Sequence, residues 1–125
     1  MSRSLFLKIK AVISVLFGIS MAFFSSLLMP IYGVTLTASG TLAIQWAGAC
    51  LFGIGLICWF ASNADRSELV SGILLSLCIC DTIGFVVSLL AQLAGVMNVL
   101  GWSTVGLWLI LALGLGYFRF IGKES

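Results

Sequence analysis

Asp81 is the residue of this chain best placed to do chemistry. It stands near the middle of LVSGILLSLCICDTIGFVVSLLA, residues 69–91, and is the only formally charged residue there. At a rise of about 1.5 Å per residue, a helix of this length crosses a hydrocarbon layer about 30 Å thick. A carboxyl group at the midplane is costly and points to one of three uses. It can handle a proton, bind a cationic or polar ligand, or make an interhelical hydrogen bond. At about 100° per residue, Asp81, Ser88 and Gln92 share one helix face, with Gly84 beside them. Gln45, about one turn into the preceding apolar stretch, comes to the same outer level. Asn98, Ser103 and Thr104 approach from the other side. Asp81, Gln45, Ser88 and Gln92 therefore form the candidate ligand or proton site, a polar pocket with Asp81 as its floor. No Lys or Arg is expected at the depth of Asp81, so the acid is expected to be neutral, with Thr82 or Ser20 as hydrogen-bond partner.

The composition excludes most other chemistry. Of 125 residues, 62% are hydrophobic, 8% are charged and none is histidine. A soluble domain carries roughly 25% charged residues, so lipid is the expected solvent here. There is no nucleophile with a histidine base, no phosphate-binding glycine loop and no carboxylate cluster. Gly53-Ile54-Gly55 lies inside an apolar run. No catalytic residue, metal site or cofactor is expected. The net charge of +2 forms no basic patch with interleaved aromatics, which argues against nucleic acid. Cys50, Cys58, Cys78 and Cys80 fall in apolar runs without a CxxC pair and read as small hydrophobes. A redox pair of Cys50 with Cys80 has no further support.

The elements that must position Asp81 are three more apolar segments. The expected fold is all-α, a single integral membrane domain over residues 1–125 with spans at about 11–29, 41–61, 69–91 and 102–118. The first reads as an uncleaved helix rather than a signal peptide, because its apolar run continues past Ser20-Met21-Ala22. Pro30 is expected to end it. Ser67 or Asp65 is placed to cap the third helix. Short connections make the spans antiparallel neighbours, an up-down-up-down four-helix transmembrane bundle. Arg3, Lys8, Lys10, Arg66, Arg119 and Lys123 all fall on one side, and the two opposite connections carry no charge. Both termini are therefore expected in the cytoplasm.

Helices in lipid associate through close contact of small residues. The third span has Gly72, Ser76, Cys80, Gly84 and Ser88 at every fourth position, and Ala49 with Gly53 and Ala112 with Gly116 repeat the spacing. Packing within the bundle is the first expectation for these residues. Docking onto another membrane protein or a second copy is the other.

The stretch Pro30-Ile31-Tyr32-Gly33-Val34-x-Leu36, with Gly40, Gln45, Gly48-Ala49 and Leu51-Phe52-Gly53-Ile54-Gly55-Leu56, resembles small four-span bacterial inner-membrane proteins of the loose DoxX-like group. That resemblance implies a four-helix bundle in the inner membrane and no particular activity. Small multidrug resistance transporters carry their essential acid in the first span, where this chain has none. Vitamin K epoxide reductase-like proteins use a CxxC, where this chain has Cys78-Ile79-Cys80. The expected function is a non-catalytic accessory or assembly subunit docking within the bilayer. The alternative is a small transporter or ligand-binding protein using Asp81.

Overall fold

A computed structural model describes residues 2–121; Met1 and residues 122–125, which include Lys123, lie outside the described residues. The described chain is all-helical: α1 (Arg3–Phe23), α2 (Ser25–Leu28), α3 (Ala38–Ser62), α4 (Glu68–Leu93) and α5 (Gly101–Gly116). A 3-10 turn over Met29–Tyr32 follows α2, and a wider π-type turn over Tyr117–Ile121 continues α5. Four helices are long and apolar enough to cross a membrane: α1, α3, α4 and α5 with its continuation.

The helix ends follow local chemistry. The Ser2 hydroxyl accepts from the Leu5 N–H, Thr37 caps α3 through Gly40 N, and Ser67 caps α4 through Val70 N. Each satisfies an N–H that the helix itself leaves unpaired. The Ser2 cap starts α1 eight residues before the expected span, so Lys8 and Lys10 are helical rather than part of a preceding tail. The other end of the helix also differs from expectation. The chain leaves helical geometry at Phe24 (φ −129°), and Pro30 sits inside the following 3-10 turn. Gly33, at φ +75°, closes that turn in a conformation that disfavours any side chain.

Two pairs of helices make up the main packing, α1 with α3 and α4 with α5. The first pair meets backbone to backbone. A Cβ on Gly48 would lie 2.7 Å from the Gly18 carbonyl oxygen, and one on Gly55 would lie 3.0 Å from the Ala11 carbonyl oxygen. Gly48 and Gly55 are seven residues apart, close to two full turns, so they fall on one stripe. In the second pair, Gly84 admits the Trp108 ring against the α4 backbone. The two pairs share a core in which Leu7, Cys58, Leu74 and Leu115 are fully buried. Outside it the surface is apolar on all sides, with Phe23, Phe60 and Leu69 largely exposed. Such a surface needs a lipid solvent, and the chain is an integral membrane protein.

Arginines tie the segment ends together. Arg3 donates to the carbonyls of Ala61 (3.1 Å) and Ala64 (2.9 Å), and Arg66 donates to those of Phe118 (2.6 Å) and Arg119 (3.2 Å). These are carbonyls at or just past helix C-termini, where the helix supplies no partner. Asn98 performs a comparable service between the remaining connections. Its backbone N–H donates to the Tyr32 carbonyl (2.8 Å) and its side-chain amide to the Ile31 carbonyl (3.0 Å).

Candidate functional site: a buried ion pair beside a cavity

Asp81 has a cationic partner, contrary to the expectation from sequence. The Lys10 Nζ donates to Asp81 Oδ1 at 3.2 Å and lies 2.9 Å from Oδ2, and both residues are 1% exposed. The second approach falls outside hydrogen-bond geometry, which leaves Oδ2 without a hydrogen-bond partner among the described residues. A matched charge is what permits a carboxylate in this interior, since a lone one carries the full desolvation penalty. The two hydroxyls expected to serve Asp81 are engaged elsewhere. Thr82 donates to the Cys78 carbonyl and Ser20 to that of Leu16, each bonding back one turn along its own helix.

Lys10 reaches this depth because α1 begins at Arg3. Seven residues, about 10 Å of helix, separate the two, so Lys10 lies well inside the segment. A signal for this exists in the sequence: Arg3, Leu7, Lys10, Ser14 and Gly18 recur at three- and four-residue steps, the period of one helix face. All five are buried. Lys8 falls off that stripe and stands 5.8 Å over the Trp59 ring.

Lys10 also lines a cavity of about 190 Å³ between α1 and α5. Ser14, Phe17 and Met21 of α1 share that wall with it, and Thr104, Leu107, Trp108 and Leu111 of α5 face them. Met29, Tyr32 and Met97 come from the connections, and Leu51 from α3. The predicted pocket residues do not line this space. Gln45 is exposed on α3, and Ser88 is half-buried on α4. Gln92 turns to the α4–α5 connection, where its amide donates to the Asn98 carbonyl at 3.1 Å. Of the other polar residues considered from sequence, Thr104 lines the cavity, while Asn98 joins the connections and Ser103 bonds the Leu100 carbonyl. The cavity is accordingly apolar, with its charge at one place.

The small residues divide between inside and outside. Gly84 receives Trp108, Ala112 is buried, Cys78 Sγ comes within 3.5 Å of a Cβ on Gly116, and Cys80 is half-buried. Gly72, Ser76 and Ala49 are exposed, and a Cβ on Gly53 or Gly72 would meet nothing within 4 Å. A four-residue step overshoots a turn by about 40°, so a ridge that faces outward at Gly72 has rotated inward by Gly84. The four cysteines are free thiols, and Cys58 belongs to the core.

No protein-family model matches the chain, and no curated protein or solved structure matches it either.

Proposed function

We propose that this protein is a non-catalytic, ligand-binding protein of the bacterial inner membrane, and that its ligand occupies the cavity beside the Lys10–Asp81 pair. The observation that carries the reading is that cavity: about 190 Å³ of apolar space in contact with a buried ammonium group. Pockets for small molecules are mostly apolar with a few placed polar groups that fix orientation, and ionisable groups inside membrane helices commonly serve ligand or ion pathways. All three described methionines, Met21, Met29 and Met97, line the space. Their unbranched, polarisable side chains suit a wall that must fit a guest.

The reading includes an up-down-up-down bundle with both termini in the cytoplasm. Its support is the Arg3 link to the end of α3, the Arg66 link to the end of α5, and the absence of charge in the connections around Tyr32 and Asn98. By the positive-inside rule, Lys8, Arg66 and Arg119 mark the cytoplasmic side.

Mass spectrometry of the intact protein, extracted in mild detergent, tests the ligand reading. A small-molecule adduct on the wild type that is missing from Leu107→Trp, whose indole would fill the space, supports it. A bare mass from both proteins counts against it. The second reading, an accessory subunit that docks in the bilayer, is favoured by the outward Ala49, Gly53, Gly72 and Ser76. Co-extraction of another polypeptide that is lost on Gly72→Leu, with the fold intact, would favour docking instead.

A further inference from the structure

We infer that the cavity takes an uncharged, lipid-soluble molecule of about single-ring size whose one oxygen acceptor, a carbonyl or hydroxyl oxygen, sits against Lys10. This deepens the ligand-binding reading above and rests on it. Charge selects the first property. Lys10 and Asp81 already neutralise each other at 2.9 Å, so an ionic guest would bring an unmatched charge into a partly open space with apolar walls. A lone Asp81 would have favoured a cation; the pair removes that preference.

The acceptor follows from the hydrogen-bond inventory of the ammonium group. Lys carries three N–H donors and no acceptor. One donor is used on Asp81 Oδ1, and no residue besides Asp81 accepts from it among the described residues. Buried polar groups are normally satisfied, and Lys10 touches the cavity. A guest oxygen there can accept from the ammonium group, whereas a guest that only donates cannot. Size and walls supply the rest. An apolar cavity of about 150 Å³ admits benzene, and this one, at about 190 Å³, has room for a ring with a small substituent. Phe17 and Trp108 give it aromatic surface, and the methionines give it adaptable surface.

The test uses the full chain in lipid nanodiscs with two probes of similar size, 4-fluoroacetophenone and 4-fluoroethylbenzene, titrated by fluorine NMR. The wild type is expected to bind the ketone about tenfold more tightly or better, the effect of one hydrogen bond to a charged donor. The double variant Lys10→Met/Asp81→Leu, which leaves neither a lone buried charge nor a side-chain donor at either position, is expected to bind the two probes equally. Leu107→Trp, or Thr104→Trp if the first does not fold, is expected to lose both. Equal binding of the two probes by the wild type overturns the acceptor proposal and leaves the ligand-binding reading standing. Discrimination that survives in the double variant also overturns it, because Lys10 would then not be the donor. Tighter binding of 4-fluorobenzylammonium than of the ketone overturns the neutral-guest proposal. Binding of none of the three probes overturns both readings.

Discussion

Two regions of the same set of packed helices solve the packing problem differently. Around Leu7, Leu74 and Leu115 the side chains are fully buried, and Arg3 and Arg66 bind the carbonyls at nearby helix ends. Beyond the Lys10–Asp81 pair, between α1 and α5, Phe17, Trp108 and the methionines stand around open space. Both regions are built from apolar side chains in the same lipid, so hydrophobicity does not distinguish them. What differs is whether facing helices are brought into contact. In the first region leucines and small residues meet across all four long helices. In the second the α1–α3 seam is closed by Gly18 and Gly48 and the α4–α5 seam by Gly84 and Trp108, while α1 and α5 stand apart. The ion pair lies at the boundary between closed packing and open space.

The comparison is broken most severely by removing one charge at that boundary. Asp81→Leu leaves the Lys10 ammonium buried and unpaired and is expected to lower stability by about 3–5 kcal/mol, whereas Lys10→Met/Asp81→Leu should recover most of that loss. Unfolding in mixed micelles, followed by circular dichroism, reads both. If the single and double variants are equally unstable, the pair is not the boundary element described here.

The next effect compares truncations. Leu74→Ala, in the closed region, is expected to cost about 2–3 kcal/mol, the low end of the range for core leucines. Lipid is as apolar as leucine, so little beyond the lost packing contributes. Leu107→Ala, which already borders open space, is expected to cost less than half of that by the same unfolding measurement. Equal losses would mean that the two regions are packed alike.

Two small effects sharpen the contrast. Met97→Leu exchanges one cavity-wall residue for another of similar volume and is expected to change stability by less than about 1.5 kcal/mol. It should nevertheless alter affinity for a cavity probe in the fluorine titration, because a stiffer wall adapts less. Gly72→Leu, where an added side chain meets nothing within 4 Å, is expected to change stability by no more than about 0.5 kcal/mol. A large loss there would show that the outer face of α4 is already occupied within the folded chain.

Much of the architecture was legible in the residues. Four long apolar helices and the polar turn at 62–68 can be read there, and of the two candidate caps, Ser67 and Asp65, Ser67 is the one used, because length, hydropathy and capping are local properties. The candidate site was only half legible. Asp81 stands out as the one charge in its run, but Lys10, placed just ahead of an apolar run, reads as part of a tail. The three- and four-residue stripe through Arg3, Lys10 and Gly18 was the available sign that it belonged inside. Level and face group Gln45, Ser88 and Gln92 with Asp81, yet Gln45 is exposed, Gln92 turns to a connection, Ser88 is half-buried, and none of them lines the cavity. Rotation about each helix axis decides this, and an apolar helix with no polar side gives little indication of it.

The sequence by itself determined the solvent, the number of long helices and the presence of one costly acid, since these follow from composition and from how long each apolar run is. Only the tertiary structure decided that Lys10 meets Asp81, that Gly48 and Gly55 rather than Ala49 and Gly53 form the α3 seam, and that a cavity lies between α1 and α5. Each of these depends on the relative rotation and separation of helices. In lipid those are set by close contact between small residues on different segments, information that no single stretch of chain contains.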